Sequence, residues 1–115
     1  MVPKKLLDTL LYPQVKLEAD EKDIVVLQVE VKGQKAGRPH RLQAEMVDRY
    51  DESLGFTAMA RTTAFTGAIV AQMMAHGDIQ SSGLLHPEQV ITGPHFDQLL
   101  NELAAVNIKF KITET

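Results

Sequence analysis

Gly55-Phe56-Thr57-Ala58-Met59-Ala60-Arg61-Thr62-Thr63-Ala64-Phe65-Thr66-Gly67-Ala68-Ile69-Val70-Ala71-Gln72-Met73-Met74-Ala75-His76-Gly77 is the stretch on which the reading of this chain turns. At roughly 100° per residue it gathers Ala60, Ala64, Gly67, Ala68, Ala71 and Ala75 into a narrow stripe of small side chains. Met59, Phe65, Thr66, Ile69, Val70 and Met73 fall in a broad apolar arc, and Arg61, Gln72 and His76 form the remaining polar seam. Thr57 is placed to cap the first turn and Gly77 to end the last, so the pattern predicts a long helix from Ala58 to His76. A helix apolar around so much of its circumference is expected to be central and mostly buried. Its small-residue stripe would admit another element close to its backbone.

Upstream of this helix the period changes. Val25, Leu27, Val29 and Val31 alternate with Val26, Gln28, Glu30 and Lys32, which predicts a half-buried strand. Gly33-Gln34-Lys35-Ala36-Gly37 supplies turn residues, and Leu42, Ala44 and Met46 then alternate with Arg41, Gln43 and Glu45. The two runs read as an antiparallel hairpin. Before it, Leu6, Leu7, Leu10 and Leu11 share one side of a short helix that Pro13 is expected to stop, followed by a charged connector from Glu18 to Lys22. Asp48 to Ser53 reads as an acidic turn leading into the long helix.

Downstream, Asp78 to Gly83 loosens, and Pro87-Glu88-Gln89-Val90 suits one helical turn. Pro94 opens a further helix carrying Phe96, Leu99, Leu100, Leu103 and Val106 at helical spacing. Ile108, Phe110 and Ile112 then alternate with Lys109 and Lys111 as a closing strand. Strands that each keep one polar face predict an α+β fold. Its antiparallel sheet, the hairpin plus a C-terminal strand, has helices packed on one face around the long central helix. A chain of 115 residues without a linker-like tract is expected to form a single domain over 1–115.

Composition narrows the function classes. A formal charge of −3 and the absence of any Lys/Arg run give no electrostatic reason to expect nucleic acid or an anionic membrane as partner. The chain has no cysteine, which excludes disulfides, thiol catalysis and cysteine metal sites and agrees with a cytoplasmic location. Met1-Val2-Pro3-Lys4-Lys5 is followed by no sustained apolar run and makes a poor signal peptide. Dinucleotide, phosphate-loop and nucleophile-elbow signatures are missing, so neither a cofactor site nor a catalytic set is expected within these residues. His40, His76, His86 and His95 are scattered, with no helical metal-site spacing, and read as surface or helix-end histidines. His76 stands in a last turn, where a cation meets the helix dipole favourably. Asp48, Asp51 and Glu52 lack calcium-loop spacing and read as a solvated turn.

Met59-Ala60-Arg61-Thr62-Thr63 is the one constellation with chemistry to offer. A guanidinium and two hydroxyls beside free helix N-terminal amides are groups that hold a carboxylate or phosphate. The structural alternative makes the threonines local backbone hydrogen-bonders and Arg61 a tie between the helix start and a neighbouring domain. Arg61, Thr62 and Thr63 are therefore the candidate substrate-binding or interdomain residues.

At this helix the sequence resembles the saccharopine dehydrogenase-like family, in particular its carboxy-terminal substrate domain. The resemblance rests on Asp23 to Gly33, a hydrophobic strand ending in glycine, and on Gly55 to Thr66 with its Met-Ala-Arg-Thr-Thr helix start. Gly83-Leu84-Leu85-His86-Pro87-Glu88 completes it, with His86 where the family often has proline. It covers roughly Leu10 to Ile108. It implies a parent NAD(P)-dependent oxidoreductase acting at a secondary amine or imine carbon derived from amino acids, as in saccharopine formation or cleavage in lysine metabolism. In the family an N-terminal Rossmann domain binds NAD or NADP. This chain would then be a C-terminal portion, inactive alone, whose missing partner is that domain. The rival expectation is a stand-alone α+β binding or dimerisation module whose hairpin edge pairs with a second copy. Open strand edges imply self-association, and hence a homodimer, under either reading.

Overall fold

The computed structural model describes residues 2–18 and 21–115. Ala19 and Asp20 of the expected connector, and Met1 of the leader considered above, lie outside these residues. The elements run α1 (Pro3–Val15), β1 (Ile24–Lys35), β2 (Arg38–Arg49), α2 (Ala58–His76), α3 (Pro87–Val90), α4 (Pro94–Ala105) and β3 (Phe110–Glu114). The strands form one antiparallel sheet in the order β1-β2-β3. The α2 helix packs against β1 and β2, and α4 packs against α2. This is the expected α+β arrangement.

Local chemistry explains the boundaries. Thr57 has extended backbone, and its hydroxyl accepts the Ala60 amide at 3.1 Å, so it is the N-cap of α2. At the other end Gly77 takes φ 83°, a left-handed conformation that costs a residue without Cβ little. The Gly77 and Asp78 amides then reach back to the carbonyls of Met74 and Met73. The hairpin closes more tightly than the glycines suggest: its turn is only Ala36 and Gly37, both with positive φ, and Gly33 to Lys35 belong to β1. Positive φ at two central residues matches the right-handed strand twist, so the ladder extends to the turn itself. Pro13 lies inside α1 rather than ending it. Its φ is helical, and near the C-terminus it removes one amide bond without stopping the last turn, which the Lys16 amide closes on Tyr12.

Met46, Ile69, Met73, Leu103 and Ile108 form the core, with Val25, Phe65, Leu99 and Phe110 packed against them. This core sits at one end of the sheet. Register places Val25, Leu27, Val29 and Val31 of β1 opposite Asp48, Met46, Ala44 and Leu42 of β2, all on one face. The helices cover only the Val25–Met46 end, so Leu27, Val29, Val31, Leu42 and Ile112 remain exposed on a projecting arm. The strand expected to be half buried is thus mostly uncovered. The opposite face carries exposed Ile24, Val26 and Val47 at one end and polar residues along the rest, with Gln28 and Gln43 both donating to Glu45, and Lys32 and Arg41 paired with Glu30.

Two burial expectations for α2 need correction. Only Ala58, Arg61, Ile69 and Met73 are buried on this helix, and the whole small-residue stripe from Ala60 to Ala75 is exposed. One three-stranded sheet and one neighbouring helix cover a single side of it. Arg61, assigned to the polar seam, is instead among the buried residues. No helix among the described residues is long and apolar enough to cross a membrane.

Candidate functional site

The α2 N-terminus is where elements distant in sequence converge. Immediately before β1 stands Asp23, whose carboxylate accepts the Ala58 amide at 2.6 Å and the Met59 amide at 2.8 Å. With Thr57 accepting from Ala60, the first-turn amides of Ala58, Met59 and Ala60 are all bonded within the chain. The outward amides expected to hold an anion are therefore occupied, and by a carboxylate that itself complements the helix dipole.

Arg61 lies one turn further on and is 4% exposed. Its Nε donates to Asp48 Oδ2 at 3.0 Å, Nη1 to Asp51 Oδ2 at 2.6 Å, and Nη2 to the Val106 carbonyl at 2.8 Å. Each acceptor has its own reason to be there. Asp48 is the penultimate residue of β2 and faces α2 from the sheet, so it is a buried strand residue rather than part of a solvated turn. Asp51 starts the loop that bridges back to Phe56; its Oδ1 accepts the Ser53 and Leu54 amides and the Ser53 hydroxyl. Those bonds, the Ser53 hydroxyl foremost, and the nearby Arg61 charge hold the Asp51 carboxyl below the usual carboxylate range.

The third acceptor comes from the end of α4. Asn107 takes φ 71°, and the Asn107 and Ile108 amides bond to Ala104 and Leu103. That reversal drives Ile108 into the core and leaves the Val106 carbonyl at Arg61. The Phe65 ring, one helical turn on, lies 5.6 Å from the guanidinium carbon. A single planar cation thus ties β2, the 51–56 loop, α2 and the end of α4, a task the fork geometry of arginine suits better than a lysine ammonium.

The other two candidates point elsewhere. Thr62 donates to the Ala58 carbonyl at 2.9 Å and is half-buried. Thr63 is exposed and makes no side-chain hydrogen bond among the described residues. The motif accordingly separates into an anchoring cation, a hydroxyl folded onto its own helix and a hydroxyl facing outward.

A separate, largely apolar groove of about 760 Å³ runs between α2, α4 and the 79–91 segment, lined by Gly67, Ala71, Met74, Ile79, Phe96 and one charged residue, Glu88. Its volume is that of a small-molecule site, roughly 300–1,000 Å³, but Arg61, Thr62 and Thr63 do not line it.

The histidines sit in four different settings. His40 contacts Glu114 at 2.7 Å, His76 ends α2, His86 joins the capping box of α3, and His95 Nδ1 lies 3.1 Å from the Val90 carbonyl. Among the described residues no three histidine, aspartate or glutamate side chains converge as metal ligands.

Sequence reasoning missed Asp23 as a helix cap and Asp48 with Asp51 as partners of Arg61. The one available signal was the acid-rich Asp48–Glu52 segment standing just before a helix whose apolar run holds a single arginine. A family model for the saccharopine dehydrogenase C-terminal domain matches residues 2–108, which include β1, the Met59–Thr63 motif and the Gly83–Glu88 turn. The chain belongs to the saccharopine dehydrogenase C-terminal domain family.

Proposed function

We propose that this chain supplies the C-terminal part of the substrate domain of an NAD(P)-dependent oxidoreductase acting on CH–NH bonds of amino-acid derivatives. The family match over residues 2–108 carries this reading. Arg61 is its positioning residue, fixing the helix start against sheet and loop. Thr63, exposed beside it, is the member of the motif available to a substrate or to an adjoining domain. Hydride transfer then depends on a Rossmann domain, in the same polypeptide or in a partner, working in the cytoplasm.

The helix termini support that division of labour. A dinucleotide pyrophosphate needs unoccupied amides and close backbone approach at a helix start. At α2 those amides already bind Asp23, and at α4 the first turn holds Pro94 and Asp97. These residues do not fit a dinucleotide, so no catalytic step is assigned to them.

The test is a chimera. In a saccharopine dehydrogenase, the segment aligned with residues 2–108 is replaced by this chain's, and NAD(P)H absorbance is followed with an amino-acid-derived imine. Turnover above that of a deletion variant is expected. A chimera that folds, by circular dichroism and mass, yet gives none would overturn the assignment. Titrating the chain itself with NADH and NADPH should give no saturation, whereas micromolar binding would overturn the division of labour.

A further inference from the structure

Helix α1 has an apolar face and nothing upon it. Every residue from Pro3 to Val15 is exposed, with Leu6, Leu7, Leu10 and Leu11 at 44%, 59%, 59% and 48%. At about 100° per residue these leucines share an arc of roughly 140°, with Lys4 at its rim and Lys5, Asp8 and Thr9 behind. A solvated helix of 13 residues is marginal in water, and α1 has no side-chain cap and carries Pro13 besides. Its helical state calls for a surface that receives the leucines.

The groove between α2, α4 and the 79–91 segment is such a surface on the same chain. Gly67 and Ala71 keep its α2 side low, so a helix can lie close. Connectivity fixes the direction of approach. Asp23, where the connector from α1 ends, is bonded to the first turn of α2, and the groove begins at Thr66, about 12 Å further along the α2 axis. The seven residues 16–22 span up to about 23 Å, so the end of α1 reaches Thr66. From there α1 runs antiparallel to α2 toward Met74. Leu6 to Leu11 covers about 8 Å, within the roughly 12 Å between Thr66 and Met74. Gln98 bonds Asp78 just past the end of α2, whereas Val106 meets Arg61 near its start, so α3 and the first turns of α4 stand at the Met74 end. That end holds Glu88, the groove's one charged residue, and α1 brings to it Lys4, Lys5 and the positive end of its dipole.

The uncovered arm of the sheet is the competing surface, and charge decides against it. A helix laid along it from Asp23 would carry Lys4 and Lys5 toward the hairpin tip, where Lys35, Arg38 and His40 share the apolar face and Glu114 is already paired with Lys35 and His40. We propose that α1 folds back onto its own chain, seats its four leucines in the groove and pairs its lysines with Glu88, closing the groove to other ligands. The structure holds the open arrangement. The proposal concerns packing within this chain, and an undocked α1 would leave the oxidoreductase reading standing.

Hydrogen exchange reads the docking, because a free helix of this length is barely protected. In the intact chain the Leu7 to Tyr12 amides should exchange at least about tenfold more slowly than random coil. Ala71→Arg, at an exposed position in the groove, and Glu88→Lys should each abolish most of that protection while amides near Met73 keep theirs. Lys4→Glu with Lys5→Glu should restore it in Glu88→Lys. Seating Val15 beside Thr66 brings Leu10 beside Ala71, and the chain has no cysteine of its own. Leu10→Cys with Ala71→Cys, oxidised at micromolar concentration, should therefore close a disulfide within one chain at least about tenfold faster than Asp8→Cys with Ala71→Cys. Random-coil exchange of α1 in the intact chain would overturn the proposal. So would protection that Ala71→Arg leaves unchanged, or a disulfide that joins two chains instead of closing within one.

Discussion

Arg61 Nε and Asp48 Oδ2 meet at 3.0 Å where α2 crosses β2, with the two residues only 4% and 7% exposed. The pair is shut from water, and Asp51 and the Val106 carbonyl occupy the other guanidinium nitrogens. Among the described residues no buried side-chain nitrogen or oxygen lacks a partner, so the cost of taking these charges out of water is offset locally. The arginine of the family-bearing motif thus joins the sheet to the helix and both to the last turn of α4.

Removing that cation leaves Asp48 buried without its partner. Arg61→Ala is expected to destabilise the chain by roughly 3–5 kcal/mol, the cost typical of breaking a buried pair. Arg61→Lys should recover only part of this, because one ammonium cannot repeat three divergent contacts. Urea unfolding by far-UV circular dichroism measures both. A loss below about 1 kcal/mol for Arg61→Ala, the range of exposed pairs, would show that the lock contributes little.

Asp23 caps α2 from 35 residues away in sequence, accepting the Ala58 and Met59 amides at once. Asp23→Ala should cost about 1–2 kcal/mol, the upper range for losing a capping side chain. Asp23→Asn, which keeps an acceptor oxygen, should cost less. Hydrogen exchange gives a local readout: the Ala58 and Met59 amides should lose protection in Asp23→Ala, while those near Met73 change only with global stability. Unchanged protection at Ala58 and Met59 would remove Asp23 from the cap.

What could be read from the sequence divides along the range of the interactions. The limits of α2 were legible because Thr57 and Gly77 act within a few residues of the helix they bound. The alternation of β1, β2 and β3 was legible for the same reason. A helical projection has no term for Asp48, Asp51 or Val106 arriving from other elements, so it put Arg61 in solvent. Asp48 looked like a turn residue because the ladder's extent depends on the tight Ala36–Gly37 closure. Apolar alternation shows which side chains share a face but not whether anything covers that face. Val29 and Val31, and the small stripe of α2, therefore read as buried and are open. The resemblance to the family is legible in motifs such as Met59–Thr63, whereas the separate roles of Arg61, Thr62 and Thr63 emerge only from their contacts.

Acid should weaken this fold through carboxylates held by partners. Asp51 is kept below the ordinary carboxylate range by the Ser53 hydroxyl first, then by the Leu54 and Ser53 amides and Arg61. Glu114 is lowered by its hydrogen bond from Lys35, then by His40, and Glu30 by Lys32 and Arg41. A carboxyl depressed in the folded state makes the unfolded chain bind more protons in acid, so stability rises with pH through that range. These contributions are complete above the ordinary carboxylate value of about 4 and disappear as pH falls through the lowered folded values. The urea midpoint should accordingly hold from pH 7 to about 5 and decline below about 4, modestly because these carboxylates face solvent. In Asp51→Asn the midpoint at pH 7 should be lower and the acid slope shallower, since one linked proton is gone. An acid slope identical to that of the parent would mean that Asp51 titrates alike in both states and that its bonds to Ser53, Leu54 and Arg61 do not persist in solution.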